Sequence, residues 1–219
     1  MKYGLDNYLI HPFISLIFSF FIILGSYYFG NFIIKYFKLE NIFKNIIKLS
    51  FLKLLLGLYF LGYGLFLLSL YGLLNKFVFQ IIASVLMIYG LIKTINVKNF
   101  YLLNNKLIIQ ARNLYYLIII IVLILYFFVS SSPITNADAL DYHVGVPIFI
   151  LNYGYFPIDW SWFHARQAGA GELLIALGLS IGAEQFGNLA QFSGLIVLTG
   201  LFLFLEKKKT NNQILRQLI

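Results

Sequence analysis

The sequence predicts an all-α fold: a polytopic transmembrane helix bundle with juxtamembrane amphipathic helices in one external loop. Three observations carry that expectation. Of 219 residues, 61% are hydrophobic and 11% charged, with a mean hydropathy of +0.86, whereas a soluble domain carries about 25% charged residues. Several apolar runs approach or exceed the ~20 residues that cross ~30 Å of hydrocarbon as a helix. The sixteen Lys and Arg residues flank these runs instead of lining one face. That distribution is the one membrane insertion produces, so the net charge of +8 does not indicate a nucleic-acid partner; the partner it indicates is membrane lipid. The absence of cysteine excludes disulfides, thiolate metal sites and cysteine nucleophiles.

The first four spans fill residues 1–130. The run 11–34 is too long for a signal-peptide core and ends without a small-residue cleavage pattern, so it reads as a retained helix. Lys35, Lys38, Lys44 and Lys48 mark a polar link to the second span, 51–74. Asn75 and Lys76 form a tight turn into a shorter third span, 77–92. The link from Lys93 to Asn113 holds a candidate hairpin about Asn104 and Asn105. The fourth span, 114–130, is apolar all round.

Residues 131–184 form the external loop, with short helices expected at about 137–151, where Pro147 must kink or interrupt the helix, and at 172–183. The latter makes roughly 18 Å of helix, too short to span and long enough to lie along the membrane interface or dip into it. The fifth span is 185–205, followed by a basic tail, 206–219. Placing 35–53, 93–112 and 206–219 in the cytoplasm puts thirteen of the sixteen basic residues inside and leaves Lys2, Lys76 and Arg166 outside. The N-terminus is then outside and the C-terminus cytoplasmic.

The external loop holds the candidate chemistry. From Pro133 to Glu172 it carries Asp138, Asp141, Asp159 and Glu172, His143 and His164, and both tryptophans. Asp138 and Asp141, three residues apart, share one helix face. Such a pair can bind a divalent cation, or one acid can act as a base that the other orients. Thr135 to Asp138 also fits a capping box, which gives Asp138 a structural role compatible with either. His143 sits about 140° around from Asp138. Glu172 at the start of its helix suits the helix dipole or faces the other two acids. Arg166 pairs with a phosphate or with a neighbouring acid. His11, His164, Trp160, Trp162, Tyr153 and Tyr155 read as interfacial residues.

The pattern P-x-T-x-A-D-A-L-D-Y-H-x-x-x-P after a membrane helix, then a G-E-L-L run and a helix ending in basic residues, resembles the first external loop of the C-type (GT-C) integral-membrane glycosyltransferases. These include lipid A aminoarabinose transferases and protein O-mannosyltransferases. The resemblance covers about 130–206. It implies transfer of a sugar from a polyprenyl-phosphate donor to an exoplasmic acceptor, in a bacterial inner membrane. It implies Asp138 or Asp141 as catalytic base, Glu172 as a second catalytic acid, and Arg166, His143 and Tyr142 as substrate contacts. Members of that superfamily continue for several hundred residues, so the chain is expected to be an incomplete module that needs a complementary C-terminal chain. The other expectation is a non-catalytic membrane subunit or scaffold whose loop binds a partner.

Overall fold

The computed structural model describes residues 5–41, 46–96, 114–135, 139–157 and 169–217. These residues form an all-α bundle with no strand among them. In order, the helices are α1 (Pro12–Tyr36), α2 (Ile46–Leu70), α3 (Lys76–Asn96), α4 (Leu114–Ser131), α5 (Gly145–Tyr153), α6 (Ala170–Leu179) and α7 (Phe186–Gln217). Four of them carry segments long and apolar enough to cross a membrane: Pro12–Tyr36, Leu49–Leu70, Lys76–Ile95 and Phe186–Leu203. The protein is an integral membrane protein. The apolar part of α4, Tyr115–Ser131, is slightly shorter than these four. The candidate hairpin about Asn104 and Asn105 lies outside the described residues.

Helix boundaries follow local chemistry. Pro12 opens α1, where its missing N–H costs nothing, and the His11 ring accepts from the Phe13 N–H. The second helix starts a turn before the expected 51–74 and stops earlier, at Leu70. Gly72 is the reason: it sits in the left-handed region at φ +65°, and the Leu73 N–H turns back to Leu68 O at 3.1 Å, closing the last turn. The turn is therefore centred on Tyr71 and Gly72, while Asn75 caps α3 by accepting the Val78 N–H at 2.9 Å. At the other end of the chain, the segment expected as a separate basic tail continues α7 as helix to Gln217.

The core is built around α1, which packs against both α2 and α3. Its buried face carries small residues, Ser15, Ser19, Gly25, Ser26 and Gly30. A Cβ on Gly30 would lie 1.8 Å from Lys53 O, and one on Gly25 2.1 Å from Leu86 O. The helix backbones approach that closely because no side chain intervenes, as small residues permit in membranes. The Ser19 and Ser26 hydroxyls stay satisfied by donating to carbonyls four residues back, at 2.8 and 2.9 Å. The main partner of α4 is α7, with Phe127 against Phe192 at 5.8 Å between ring centres; most other α4 side chains are exposed.

One end of the bundle gathers the N-terminal segment, the α2–α3 turn, the end of α4 and the start of α7. There Tyr8 is buried, donates to Asn152 at the end of α5 and lies beneath Lys76, whose Nζ is 4.6 Å from the ring centre. Burial pushes its phenol above the usual tyrosine range. Ser15 of α1 meets the start of α7 through Gln185 and accepts the Glu184 N–H at 2.8 Å. Gln80 of α3 reaches Ser180 O at 3.0 Å.

Candidate functional site

The two short helices between α4 and α7 are largely buried. In α5, Val146, Pro147, Ile148, Ile150 and Leu151 are buried, and in α6 so are Leu173, Ile175, Ala176, Leu177 and Leu179. The segment before α5, Ala139–Val144, forms a π-helical turn, and the α-helix restarts at Gly145 with Pro147 inside its first turn. A proline there has no N–H to place, and its ring would collide with the carbonyl of a continuous helix four residues back. The wide turn is the interruption that Pro147 imposes on the segment expected at 137–151. Such insertions recur at functional sites.

The first turn of α6 lies beside the middle of α2 and not beside its end. A Cβ on Gly62 would touch Leu174 Cδ1 at 3.5 Å and Ala170 Cβ at 3.7 Å. Gly62 is about eight residues, or about 12 Å of helix, in from Leu70. From there α6 rises along α7: Gly187 faces Ile175, and Gly178 packs on Phe186. The start of α6 thus dips along the apolar span Leu49–Leu70.

At that level, His143 and Glu172 meet. The His143 Nδ1 lies 3.2 Å from Glu172 Oε1, within hydrogen-bonding distance. The second carboxylate oxygen, Oε2, accepts the Gly169 N–H at 2.7 Å. Glu172 is the third residue of α6 and folds back to the cap in the manner of a capping box. Its side chain is 12% exposed, that of His143 37%. One carboxylate therefore holds the start of α6 and fixes the imidazole on the π-helical turn.

Of the acids expected to share a site, Asp141 stands exposed on the same turn as His143. Asp138, Arg166, His164, Trp160 and Trp162 lie outside the described residues, as does the side chain of Tyr142. Among the described residues no group of three or more His, Cys, Asp or Glu is placed to hold a metal ion. The cation site expected at Asp138 and Asp141 involves a residue outside that set.

An apolar cavity of about 420 Å³ runs between α2 and α6. Leu58, Gly62 and Phe66 form one wall and Ala170, Gly171 and Leu174 the other. The stacked rings of Tyr59 and Tyr63, parallel with centres 6.2 Å apart, border it.

Sequence reasoning missed Glu184. It is 9% exposed, its Oε1 accepts the Ile134 N–H at 2.8 Å, and it ties the chain leaving α4 to the start of α7. The available signal was an acid among small and apolar residues just after Gly182, which turns at φ +82°; an acid placed there without an exposed helix face needs a donor to hold it.

The family model described as DUF1420 N-terminal domain matches residues 1–100 and 93–219. No curated protein and no solved structure matches the chain.

Proposed function

The chain belongs to the DUF1420 N-terminal domain family, and from that footing we propose that it is a membrane-embedded sugar-transfer module acting with a polyprenyl-phosphate donor. The observation that carries this reading is the π-helical turn, which exposes Asp141 two residues before a histidine fixed by Glu172. In this proposal Asp141, with Asp138, takes the proton from an acceptor hydroxyl. The hydroxyl oxygen bonds to the anomeric carbon, the bond from that carbon to the donor phosphate breaks, and polyprenyl phosphate leaves. Glu172 positions His143, and His143 and Tyr142 contact the acceptor. Arg166 faces the departing phosphate, where charge-assisted hydrogen bonds are strongest. A polyprenyl chain and its phosphate require a long groove and several cationic contacts. The proposal places these in further membrane helices that work with this module.

The test is transfer of radiolabelled sugar from polyprenyl phosphate in membranes that hold the chain and such a complement. Asp141→Asn should lower the rate by about 100-fold or more, as loss of a general base does, while binding of donor persists. Equal rates for the two forms would refute the assignment.

A second reading, a non-catalytic membrane subunit, is favoured by a different observation. Both oxygens of Glu172 are engaged by the chain's own His143 and Gly169, and Glu184 holds Ile134, so both acids already serve the fold. This reading requires full function of the assembly with Asp141→Asn.

A further inference from the structure

The two helices whose starts carry His143 and Glu172 both end on the same short stretch of chain, residues 8–15. His143 lies on the turn directly before α5. Nine residues further on, about 13 Å along the helix, Asn152 accepts a hydrogen bond from the Tyr8 hydroxyl. Glu172 lies in the first turn of α6. Past the other end of α6, Gly182 packs on Ile10, whose Cγ2 would lie 2.8 Å from a Cβ there. Next to it, the Ser15 hydroxyl donates to Gln185 and accepts the Glu184 N–H. Helices α5 and α6 pack on each other between these points. They therefore run side by side, from the His143–Glu172 pair to residues 8–15.

The two attachments are built differently. Ser15 belongs to α1, and it is buried together with Glu184 and Gln185. Tyr8 belongs to a separate four-residue 3-10 turn, Leu5–Tyr8, and so short a turn has little stability of its own. The chain between that turn and α1 is exposed at Leu9 and Ile10. Tyr8 is held by its burial, by the bond to Asn152 and by the Lys76 ammonium over its ring.

We propose that residues 8–15 form a clasp on α5 and α6, with the Tyr8–Asn152 hydrogen bond as its latch. Latched, the ends of the two helices are held together and the His143–Glu172 pair is closed. Released, α5 swings away from α6, which Ser15 still holds, and Glu172 is uncovered. Opening of this kind draws on the least stable local segment, which here is the turn carrying Tyr8. Tyr8 is thus a positioning residue that acts on the pair through α5. The inference holds whether or not the module transfers sugar.

Hydrogen exchange of the full chain in nanodiscs, resolved by peptide, provides the test. Tyr8→Phe keeps the ring beneath Lys76 and removes the hydroxyl. Exchange should then rise about fivefold, the factor that one lost hydrogen bond gives an opening equilibrium, in the peptides carrying 139–148 and 170–179. Exchange in α1 and α2 should stay unchanged. Asn152→Leu should act like Tyr8→Phe, and the two combined should exceed neither alone, because they break one contact. Asn152→Asp keeps the acceptor and should exchange like the wild type. The proposal is overturned if Tyr8→Phe changes nothing or if its effect stops within 150–156. It is also overturned if Asn152→Asp exchanges as fast as Asn152→Leu, or if α1 and α2 quicken equally.

Discussion

The Nδ1 of His143 lies 3.2 Å from Oε1 of Glu172, 29 residues further along the chain, and this contact joins the π-helical turn before α5 to the first turn of α6. An ionisable group with little exposure is costly unless it is paired, and the Glu172 side chain is 12% exposed. Here the pairing is made by a loop segment that dips beside α2, and the spans themselves supply neither partner.

If Glu172 holds both the α6 cap and His143, truncating it should loosen that end of the bundle. Glu172→Ala is expected to cost about 1–2 kcal/mol, the usual loss for a capping side chain. Glu172→Gln keeps an oxygen for the Gly169 N–H and should cost less. Thermal unfolding of the purified chain in detergent reads both. Equal stability of the alanine variant and the wild type would show that neither contact contributes.

The α1–α2 contact depends on the absence of side chains. Gly30→Ala places a carbon 1.8 Å from Lys53 O, so the helices must part, at about 1–3 kcal/mol for an overpacked interface. Gly64→Ala meets nothing within 4 Å and should be neutral or stabilise by up to about 1 kcal/mol through helix propensity. Melting temperatures of the two variants should therefore move apart. A harmless Gly30→Ala would mean that α1 and α2 are not packed this closely.

Much of the fold was legible in the sequence, because a helix in lipid must satisfy its own backbone and announces itself as an apolar run of the right length. The helices 12–36, 76–96 and 114–131 fall within a few residues of the runs that predicted them. The second helix shifted because one glycine at positive φ ended it early, a property of Gly72 that no hydropathy average registers. The site was half legible. Glu172 and His143 were singled out, but their pairing crosses a segment whose path spacing alone does not determine. The depth of α6 was not legible either, since Ala170 and Gly171 signal close packing without naming the helix they pack on. Glu184 escaped because an acid at the start of a helix has a sufficient explanation in the helix dipole.

The charge count predicts an orientation that can be tested directly. Reporter fusions after Lys48, Lys76, Asn113, Gly154 and Lys209 should read cytoplasmic, external, cytoplasmic, external and cytoplasmic, with α4 as one of five crossings. An external signal after Lys209 would remove the topology on which the external placement of Asp141 depends.

The most direct measurement concerns the insertion of α6 beside the middle of α2, since that placement sets the level of the His143–Glu172 pair. The chain has no cysteine of its own, so paired substitutions report without background. A Cβ at position 62 lies 3.7 Å from that of Ala170, within the ~3.5–4.5 Å that a disulfide spans. Gly62→Cys combined with Ala170→Cys should therefore cross-link under mild oxidation in native membranes, while Gly64→Cys combined with Ala170→Cys should not. Failure of the first pair to cross-link, or equal cross-linking by both, would contradict the account.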